Sequence, residues 1–453
     1  MRTYSSATYE PTHTRRMLRR ALITSTVGTS IEYFDFALYG LAAVTIGRAF
    51  FPSGDPLAST LAAFITFGAG FLARPVGAAI FGHVGDRIGR KATLIVTLTL
   101  TGTATFLMGL VPTYAEIGIW GGVVVVLLRL LQGLGLGGEW GGAVLLTIEW
   151  GNRGKRGFLG AWPQFGIPIG VAMGISAMLA STELVHDSYW AWRVPFLASI
   201  VLIVVGLYLR LGVLESPVFA GLLERRRIEQ RPVVEVLRKH WRDVVLVCLL
   251  GAGEQTPTLI FTTFVLAYGT LLLGLPEKTM LHYSLFYNLL AAALVPVMGL
   301  LSDHIGRKRL YLMGAGALAL WTIPFWHLLN TKEMGAMSLA LAVAALAWSA
   351  MAGPLAALCA ETFTGRLRYS GASIGYQLSA ITSGGPAAVV ATFLLETYRT
   401  SYAVAVYLIV CMLISFGAAL LVRERSRQDL SVEYDERAAS SPPARSLPAP
   451  LRF

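Results

Sequence analysis

The chain has 453 residues, of which 55% are hydrophobic and 14% charged, and its net charge is +11. Soluble domains average about 45–50% apolar and about 25% charged residues, so the composition indicates a membrane protein. The basic residues lie in short segments between apolar runs, a pattern that marks membrane orientation and argues against nucleic acid as a partner. Cys248, Cys359 and Cys411 fall inside apolar runs without disulfide or metal spacing, and we expect no metal and no cofactor.

Twelve apolar segments are each long enough to cross a bilayer, which takes about 20 residues in a helix. They are predicted at 21–47, 57–81, 92–112, 119–147, 157–180, 192–213, 244–273, 280–301, 310–329, 336–358, 371–395 and 401–422. We therefore predict an all-α membrane protein of twelve transmembrane helices in two six-helix halves. The predicted order is an N-terminal segment 1–20, a first half 21–213, a basic linker 214–243, a second half 244–425 and a disordered tail 426–453.

Lysine and arginine are unevenly divided between alternate loops, which predicts the orientation of the chain in the membrane. One set of loops carries Arg87, Arg90, Lys91, Arg153, Lys155, Arg156, Arg307, Lys308, Arg309, Arg366 and Arg368. The opposite set carries only Arg48, Arg193, Lys278, Lys332 and Arg399. The basic set is predicted to face the cytoplasm, so both termini and the linker are predicted to be cytoplasmic, in a protein of the cell (inner) membrane.

Two loops of the chain are near copies of each other. Residues 82–91 and 299–308 share a Gly, Asp, Gly-Arg-Lys pattern and lie 217 positions apart. Glu149 and Arg156 return as Glu361 and Arg368, each 212 positions later. Such a period indicates duplicated halves, which are common in transporters.

An aspartate between two helices can accept bonds from free N–H groups or pair with arginine. Because the pattern is repeated, we predict a paired cytoplasmic gate whose ion pairs break when the halves move; a pure topology signal is the alternative. The predicted gate residues are Gly82, Asp86, Arg87, Gly89, Arg90, Lys91, Glu149, Arg156, Gly299, Asp303, Gly306, Arg307, Lys308, Glu361 and Arg368.

Several charged residues fall near the middle of apolar segments. Each such charge costs about 2.5–3.5 kcal/mol at the bilayer centre, so it needs a partner and commonly marks a transport pathway. Glu32, Asp35 and Arg129 are predicted near mid-depth and are assigned a functional role. For Arg74 and Glu139, ion pairing that only holds the helices together fits equally well. Gly137 and Gly138 are assigned to close helix packing next to Glu139.

In the second half only Glu254 is comparably deep. Desolvation disfavours a charged carboxylate, which predicts that Glu254 exchanges a proton reversibly. Gln132, Gln164 and Gln377 could bond a substrate, or could bond only neighbouring helices. Four tyrosines are assigned mainly to lipid or headgroup level, with cavity lining as the alternative. They are Tyr268, Tyr283, Tyr287 and Tyr376.

The paired loops resemble the signature of the major facilitator superfamily. More narrowly, five stretches resemble its metabolite:proton symporter family, and the resemblance covers about 20–425. These stretches are 31–36, 71–75, 129–142, 192–196 and 215–219. The resemblance implies import of a small metabolite, of the kind of shikimate, 2-oxoglutarate, citrate, proline or betaine, together with protons. His304 departs from the pattern, since the first loop has Arg87 there, and we expect a weaker or pH-sensitive second gate.

If the substrate is an organic anion or zwitterion, it needs a fixed positive partner at mid-depth. Arg129 is the first candidate and Arg74 the second, because a planar guanidinium holds a carboxylate through two bonds. Asp35 or Glu32 is predicted to couple the proton, with Glu254 as the alternative.

Two other functions remain open at this point. The Gly- and Pro-rich run 160–170 loosely resembles a motif of drug/proton antiporters, so proton-driven export is one alternative. A non-transporting sensor is another. No nucleophile–base pair is recognisable, so we do not expect an enzyme, and we expect the protein to function as a monomer.

Overall fold

The computed structural model describes residues 11–53, 56–151, 153–185, 188–212 and 232–426. Most of the predicted linker, most of the predicted tail and the stretch 215–219 lie outside these residues. The described part contains twelve long helices. They are α1 (Pro11–Phe50), α2 (Pro56–Arg87), α3 (Arg90–Met108), α4 (Ile119–Trp150), α5 (Arg156–Leu184), α6 (Arg193–Leu211), α7 (Trp241–Leu271), α8 (Glu277–Ile305), α9 (Arg307–Asn330), α10 (Met334–Thr362), α11 (Arg368–Tyr398) and α12 (Ser401–Leu421).

Judged by length and composition, eleven of these helices can cross a membrane, and α1 is the twelfth long helix of the bundle. The predicted twelve-helix, all-α fold is thereby confirmed. Helix α1 begins at Pro11, ten residues before the predicted span. Its basic first turns continue the helix beyond the apolar stretch, and Arg20 there donates to the carbonyl of Gly212 at 3.0 Å.

Glycines let the helices that carry buried charges approach closely. A Cβ on Gly133 would lie 2.9 Å from the Cβ of Ala73, and one on Gly137 would lie 2.7 Å from the nitrogen of Ala78. Helices α2 and α4 therefore touch backbone to backbone, as small residues permit in membranes. This contact brings Arg74 of α2 and Arg129 of α4 into the interior of the first half.

The two halves meet along two pairs of helices that occupy corresponding places in the repeat. Helix α2 packs on α11, and α5 packs on α8. At the first crossing a Cβ on Gly82 would lie 3.0 Å from the Cα of Ser370, and at the second a Cβ on Gly299 would lie 2.8 Å from the carbonyl oxygen of Gly157. Each repeated glycine thus stands where a helix of the other half crosses.

Helices α7 and α11 are each interrupted by one π-helical turn, Ile260–Phe264 and Ala380–Gly384. Proline lacks the N–H of a regular helix, and Pro257 lies just before the first turn while Pro386 follows the second. Such turns are often found at functional sites. The turn in α7 places Thr262 and Thr263 on the wall of the gap between the halves.

Candidate functional site

Four charged residues form what we call the first gate network: Asp86, Arg90, Glu149 and Arg368. Arg90 lies 3.5 Å from Asp86 and 3.6 Å from Glu149, all in the first half. Glu149 also pairs with Arg368 of the second half at 3.5 Å. Asp86 accepts bonds from the backbone N–H of Ser370 at 2.9 Å and from its hydroxyl at 2.8 Å. Asp86 therefore caps the N-terminus of α11 across the boundary between the halves.

The second gate network repeats this arrangement with Asp303, Arg307, Glu361 and Arg156. Arg307 pairs with Asp303 at 2.9 Å and with Glu361 at 3.4 Å. Glu361 pairs with Arg156 of the first half at 3.5 Å. Asp303 accepts the backbone N–H bonds of Gly157 and Phe158, at 2.8 and 2.9 Å, and so caps the N-terminus of α5.

The repeated Glu–Arg pairs of the sequence therefore exchange partners in space. Glu149 meets Arg368 and Glu361 meets Arg156, while each aspartate caps a helix of the opposite half. All eight side chains lie on one membrane face, which we call the gate face. In this conformation the gate face is closed by bonds that would have to break for the halves to separate there.

The remaining predicted gate residues surround these networks. Gly89 and Gly306 have φ values of 125° and 101°, which only glycine adopts readily, and they directly precede α3 and α9. Lys91 donates to the carbonyl of Leu211 at 3.0 Å, and Lys308 to that of Leu420 at 2.6 Å. These two lysines fasten each half internally, beside the contacts that cross between the halves.

Arg87 and His304 occupy equivalent positions of the two loops but differ in type, and each contacts a group of its own half. Arg87 is exposed and lies 3.3 Å from His83 through Nη1 and Nε2, while His304 is exposed and lies 3.0 Å from the carbonyl of Leu300. Neither bond crosses between the halves.

A buried charged centre lies inside the first half. Arg129 donates to Gln132 at 2.8 Å, and Gln132 donates to Thr105 at 2.5 Å. The guanidinium of Arg129 also stacks on Tyr39, 3.4 Å from the ring centroid. Asp35 of α1 faces Thr105 and Arg129, yet neither of its carboxylate oxygens accepts a hydrogen bond of normal geometry within the described residues.

Arg74 forms a neighbouring centre with aromatic walls. Its guanidinium lies 4.4 Å from the ring centroid of Phe71 and 5.0 Å from that of Phe36. Its electrostatic neighbours are Tyr33, Glu32 and Tyr376, so it stands beside the boundary between the halves. Arg74 is thus not paired with Glu139.

Glu139 belongs to an ion pair that the sequence did not reveal. Its partner is Arg210 near the end of α6, and Thr97 donates to the second carboxylate oxygen at 2.8 Å. Gly28 of α1 lies against both ends of this pair, since a Cβ there would meet the Arg210 guanidinium and lie 2.7 Å from Glu139. Glu32 is a further electrostatic neighbour of Arg210. An arginine within a predicted apolar segment was the available signal.

Glu254 stands at the centre of the second half. Its carboxylate accepts the hydroxyl of Tyr376 at 3.0 Å and that of Thr258 at 3.3 Å. The ring of Tyr376 stacks on Trp140 of the first half, with centroids 3.8 Å apart and planes 7° apart. Trp140 in turn donates to Gln164 at 2.8 Å. The sequence singled out Glu254 and Gln164 but missed the aromatic pair between them.

Gln377 donates to the carbonyl of Leu136 at 3.2 Å, another bond from α11 to α4. The assignment of the tyrosines to lipid or headgroup level is wrong for Tyr268, Tyr287 and Tyr376, which are buried in the bundle, while Tyr283 is half-buried. The burial of these tyrosines depends on which face of each helix meets its neighbours, and residue type alone does not reveal that face.

A cavity of about 50 Å³ lies between the halves. Its wall includes Phe36, Gly40, Phe67, Thr262, Thr263 and Ser284. The space holds no more than a few water molecules. The halves thus close around a small central space that contains hydroxyls and aromatic rings.

Comparison with known families assigns this architecture. The model of the Major Facilitator Superfamily matches residues 26–389. The chain belongs to the major facilitator superfamily. This transporter is therefore a secondary carrier, a multi-pass membrane protein whose resemblance to metabolite:proton symporters, stated from the motifs, is confirmed by its relatives.

Among those relatives is the inner membrane metabolite transport protein YhjE of Escherichia coli, 38% identical over 434 residues, with 93% of this chain and 97% of the relative covered. The shikimate transporter of the same organism is 35% identical, and the match covers 90% of this chain and 95% of that protein. A proline/betaine transporter of Salmonella typhimurium is 33% identical, and the match covers 91% of this chain and 85% of that protein.

Among solved structures, the proton:xylose symporter XylE bound to 6-bromo-6-deoxy-D-glucose superposes with a TM-score of 0.77. It covers 92% of this chain and 98% of its own, at 16% sequence identity. This likeness concerns the fold.

Proposed function

We propose that this transporter imports a small organic acid or zwitterion together with protons, by alternating access. The observation that carries the proposal is the buried centre of Asp35 and Arg129, where a carboxylate without normal hydrogen bonds faces a guanidinium at the heart of the first half. A cation there can hold a substrate carboxylate, and a carboxylate there can take up a proton.

The substrate class follows from the charges beside the cavity. Arg129 and Arg74 can each present a planar fork to a carboxylate, and Phe36 and Phe67 supply apolar walls. Relatives that carry shikimate, proline or betaine all handle small molecules bearing a carboxylate. Gln132 holds Arg129 in place, and Gln164 and Gln377 are proposed to reach the substrate only after the halves move.

Proton coupling is assigned to Asp35 in the first place, with Glu32 beside it. Glu32 shares its surroundings with Arg210 and Arg74, whereas Asp35 faces Arg129. A substrate carboxylate on Arg129 would compete with Asp35 for the same cation, which links substrate binding to the protonation of Asp35. Glu254 is the alternative proton carrier.

The gate networks are proposed to open and close the gate face. Each network combines ion pairs with a helix cap across the boundary, so opening removes both together. We propose that the protein lies in the inner membrane with its gate face toward the cytoplasm, because the basic loops lie on that face. We expect a monomer to be sufficient, since both halves of the site belong to one chain.

The test begins with the ligand. Purified protein is screened by thermal shift against carboxylates, betaines and shikimate-like acids, and the compound that stabilises it most is used for uptake and counterflow in vesicles of known orientation. We expect concentrative uptake from the side opposite the gate face. Concentrative movement in the other direction would instead support proton-driven export, and binding without any flux would support a sensor.

A further inference from the structure

We propose that Tyr376 is a positioning residue that links the protonation of Glu254 to the closing of the gate face. This inference rests on the proposed proton-coupled transport and assigns a role to a contact between the halves. The carrying observation is that one side chain both stacks on the first half and bonds a buried carboxylate of the second.

The stack between Trp140 and Tyr376 joins the two halves at the centre of the molecule. Both rings are almost fully buried and lie parallel at 3.8 Å. Each ring is fixed at its polar tip within its own half, Trp140 by Gln164 and Tyr376 by Glu254. Separating the halves on the gate face must therefore separate these rings or release one of the tips.

The stack continues the closed region of the gate face toward mid-depth. Ser373 and Tyr369, one and two turns before Tyr376 on α11, also contact the first half: Ser373 meets α4, and Tyr369 meets α4 and α2. Tyr369 donates to the carbonyl of Gly138 at 2.5 Å, and a Cβ on Gly141 would lie 3.0 Å from its ring. The glycines beside Trp140 thus allow α11 to lie flat on α4, and Tyr376 continues this row of contacts.

The strength of the bond between Tyr376 and Glu254 depends on whether the Glu254 carboxylate is charged, so the groups around that residue matter. Its carboxylate faces Thr258 of its own helix and Tyr376 of α11, and its backbone carbonyl accepts the indole N–H of Trp348 from α10. Further electrostatic neighbours in the described part of the chain are Tyr33 of α1, Tyr287 of α8, Tyr311 of α9 and Cys359 of α10. Charged groups near this cluster, among the described residues, are Arg74, which interacts with Tyr33 and Tyr376, and Glu32, which interacts with Tyr33.

The direction of the effect follows from hydrogen-bond strength. An ionised Glu254 accepts the Tyr376 hydroxyl in a charge-assisted bond, about twice as strong as a neutral one. Protonation replaces it with a neutral bond, which holds the ring against Trp140 less firmly. A proton that reaches Glu254 from the side opposite the gate face would thus favour opening of the gate face, the order of events that import with protons requires.

The test measures the distance between the halves on the gate face as a function of pH. Ile88 and His304 are exposed there, one in each half. Spin labels on cysteines at these positions, with Cys248 and Cys411 replaced by serine, report closed and open populations of the full chain in nanodiscs. For the otherwise unaltered chain we expect the open population to rise as the pH falls from 8 to 5.

Glu254→Gln should raise the open-to-closed ratio at pH 8 about fivefold and remove its pH response, since a neutral acceptor replaces a charged one. Tyr376→Phe keeps the ring but loses the hydroxyl, so it should remove the same response while Glu254 is intact. The double variant should lack the pH response, as each single variant does. Tyr311→Phe is the matched control, because it deletes a buried hydroxyl of the same half that bonds Leu250 and Ser415. It should retain the response.

A Tyr376→Phe protein with the unaltered pH response would overturn the inference, and so would a Tyr311→Phe protein that loses it. If Tyr376→Phe does not fold, Glu254→Gln alone decides, because a retained response there excludes Glu254 as its source. Uptake distinguishes this failure from that of the proposed function. If no organic acid or zwitterion enters with protons, the proposed function fails whatever the distances do.

Discussion

Arg129 has the geometry that we propose for binding the carboxylate of the substrate. One face of its guanidinium lies on Tyr39, 3.4 Å from the ring centroid, and Nη1 is held by Gln132 at 2.8 Å. Its Nε and Nη2 have no hydrogen-bond partner within the described residues. Two adjacent donors are thus left in the fork geometry that binds a carboxylate.

We therefore expect Arg129→Lys to abolish high-affinity binding although the charge is kept. Losing one charge-assisted bond of about 1.5–3 kcal/mol corresponds to a rise in Kd of about 10- to 100-fold. Titration calorimetry with the ligand found by thermal shift measures this directly. Arg48→Lys, at an exposed position on the opposite face, is the control and should bind normally. A Kd within twofold of the unaltered protein would remove Arg129 from the binding site.

The sequence shows which charged residues are buried, but it does not show most of the side chains that contact them. An apolar segment with a charge inside it is a local pattern, so Asp35, Arg129 and Glu254 stood out. Arg210 was missed because it lies close to the end of its segment, where an arginine can also reach the membrane surface. Its partner Glu139 is 71 positions away in the chain, and no local pattern encodes such a pairing.

At the scale of helices, the contacts that cross the proposed gate involve helix termini as well as ion pairs. Asp86 receives the N–H and the hydroxyl of Ser370 at the start of α11, and Asp303 receives two N–H groups at the start of α5. A carboxylate at a helix N-terminus is favoured by the helix dipole as well as by these bonds.

Asp86→Asn should leave the protein folded but slow its turnover, because the amide still accepts a bond while the charge that attracts Arg90 and the α11 terminus is lost. We expect the maximal uptake rate to fall about tenfold, with Kd changed much less, since the binding centre is not touched. Asp303→Asn tests the same role in the second network. An Asp86→Asn protein that transports at the unaltered rate would reduce the loop to a topology signal.

Gly28 is the point where α1 makes room for the ion pair of Glu139 and Arg210. Gly28→Ala should lower the thermal unfolding temperature, because the added methyl collides with both charged groups and overpacking costs about 1–3 kcal/mol. Gly40→Ala in the same helix has no atom within 4 Å of the added Cβ and should be neutral or stabilising. Equal unfolding temperatures for the two variants would contradict this packing account.

Helix number and length could be predicted from the sequence, since an apolar run of about 20 residues is a strong local signal. The π-helical turns in α7 and α11 could not, because they depend on how Pro257 and Pro386 are accommodated by neighbouring helices. The burial of Tyr376 was likewise unpredicted, since it is decided by a tryptophan of the other half.

At the scale of the whole molecule, the duplication explains why the two gate networks have the same design. The repeat predicted two related halves, and the structure has α2 on α11 and α5 on α8 in matching places. That the repeated Glu–Arg pairs exchange partners was beyond the sequence, because their separation of seven residues equally allows pairing within each half.

Orientation is also a property of the whole chain. We predict that a cysteine at Glu333 is labelled by an impermeant maleimide added outside cells, and that one at Lys155 is labelled only after the membrane is opened. Both positions are exposed and lie on opposite faces of the bundle. Labelling of Lys155→Cys in intact cells would reverse the orientation proposed for the gate face.

Accumulation of substrate driven by a pH gradient tests the central claim most directly. Proteoliposomes are given an inward proton gradient, and the internal concentration of the labelled substrate is compared with the bath for the unaltered protein and for Asp35→Asn. We predict that the unaltered protein concentrates substrate severalfold and that a protonophore abolishes this. Asp35→Asn should exchange substrate across the membrane but never concentrate it, because exchange needs no net proton movement. Concentration of substrate by Asp35→Asn under the same gradient would contradict the account.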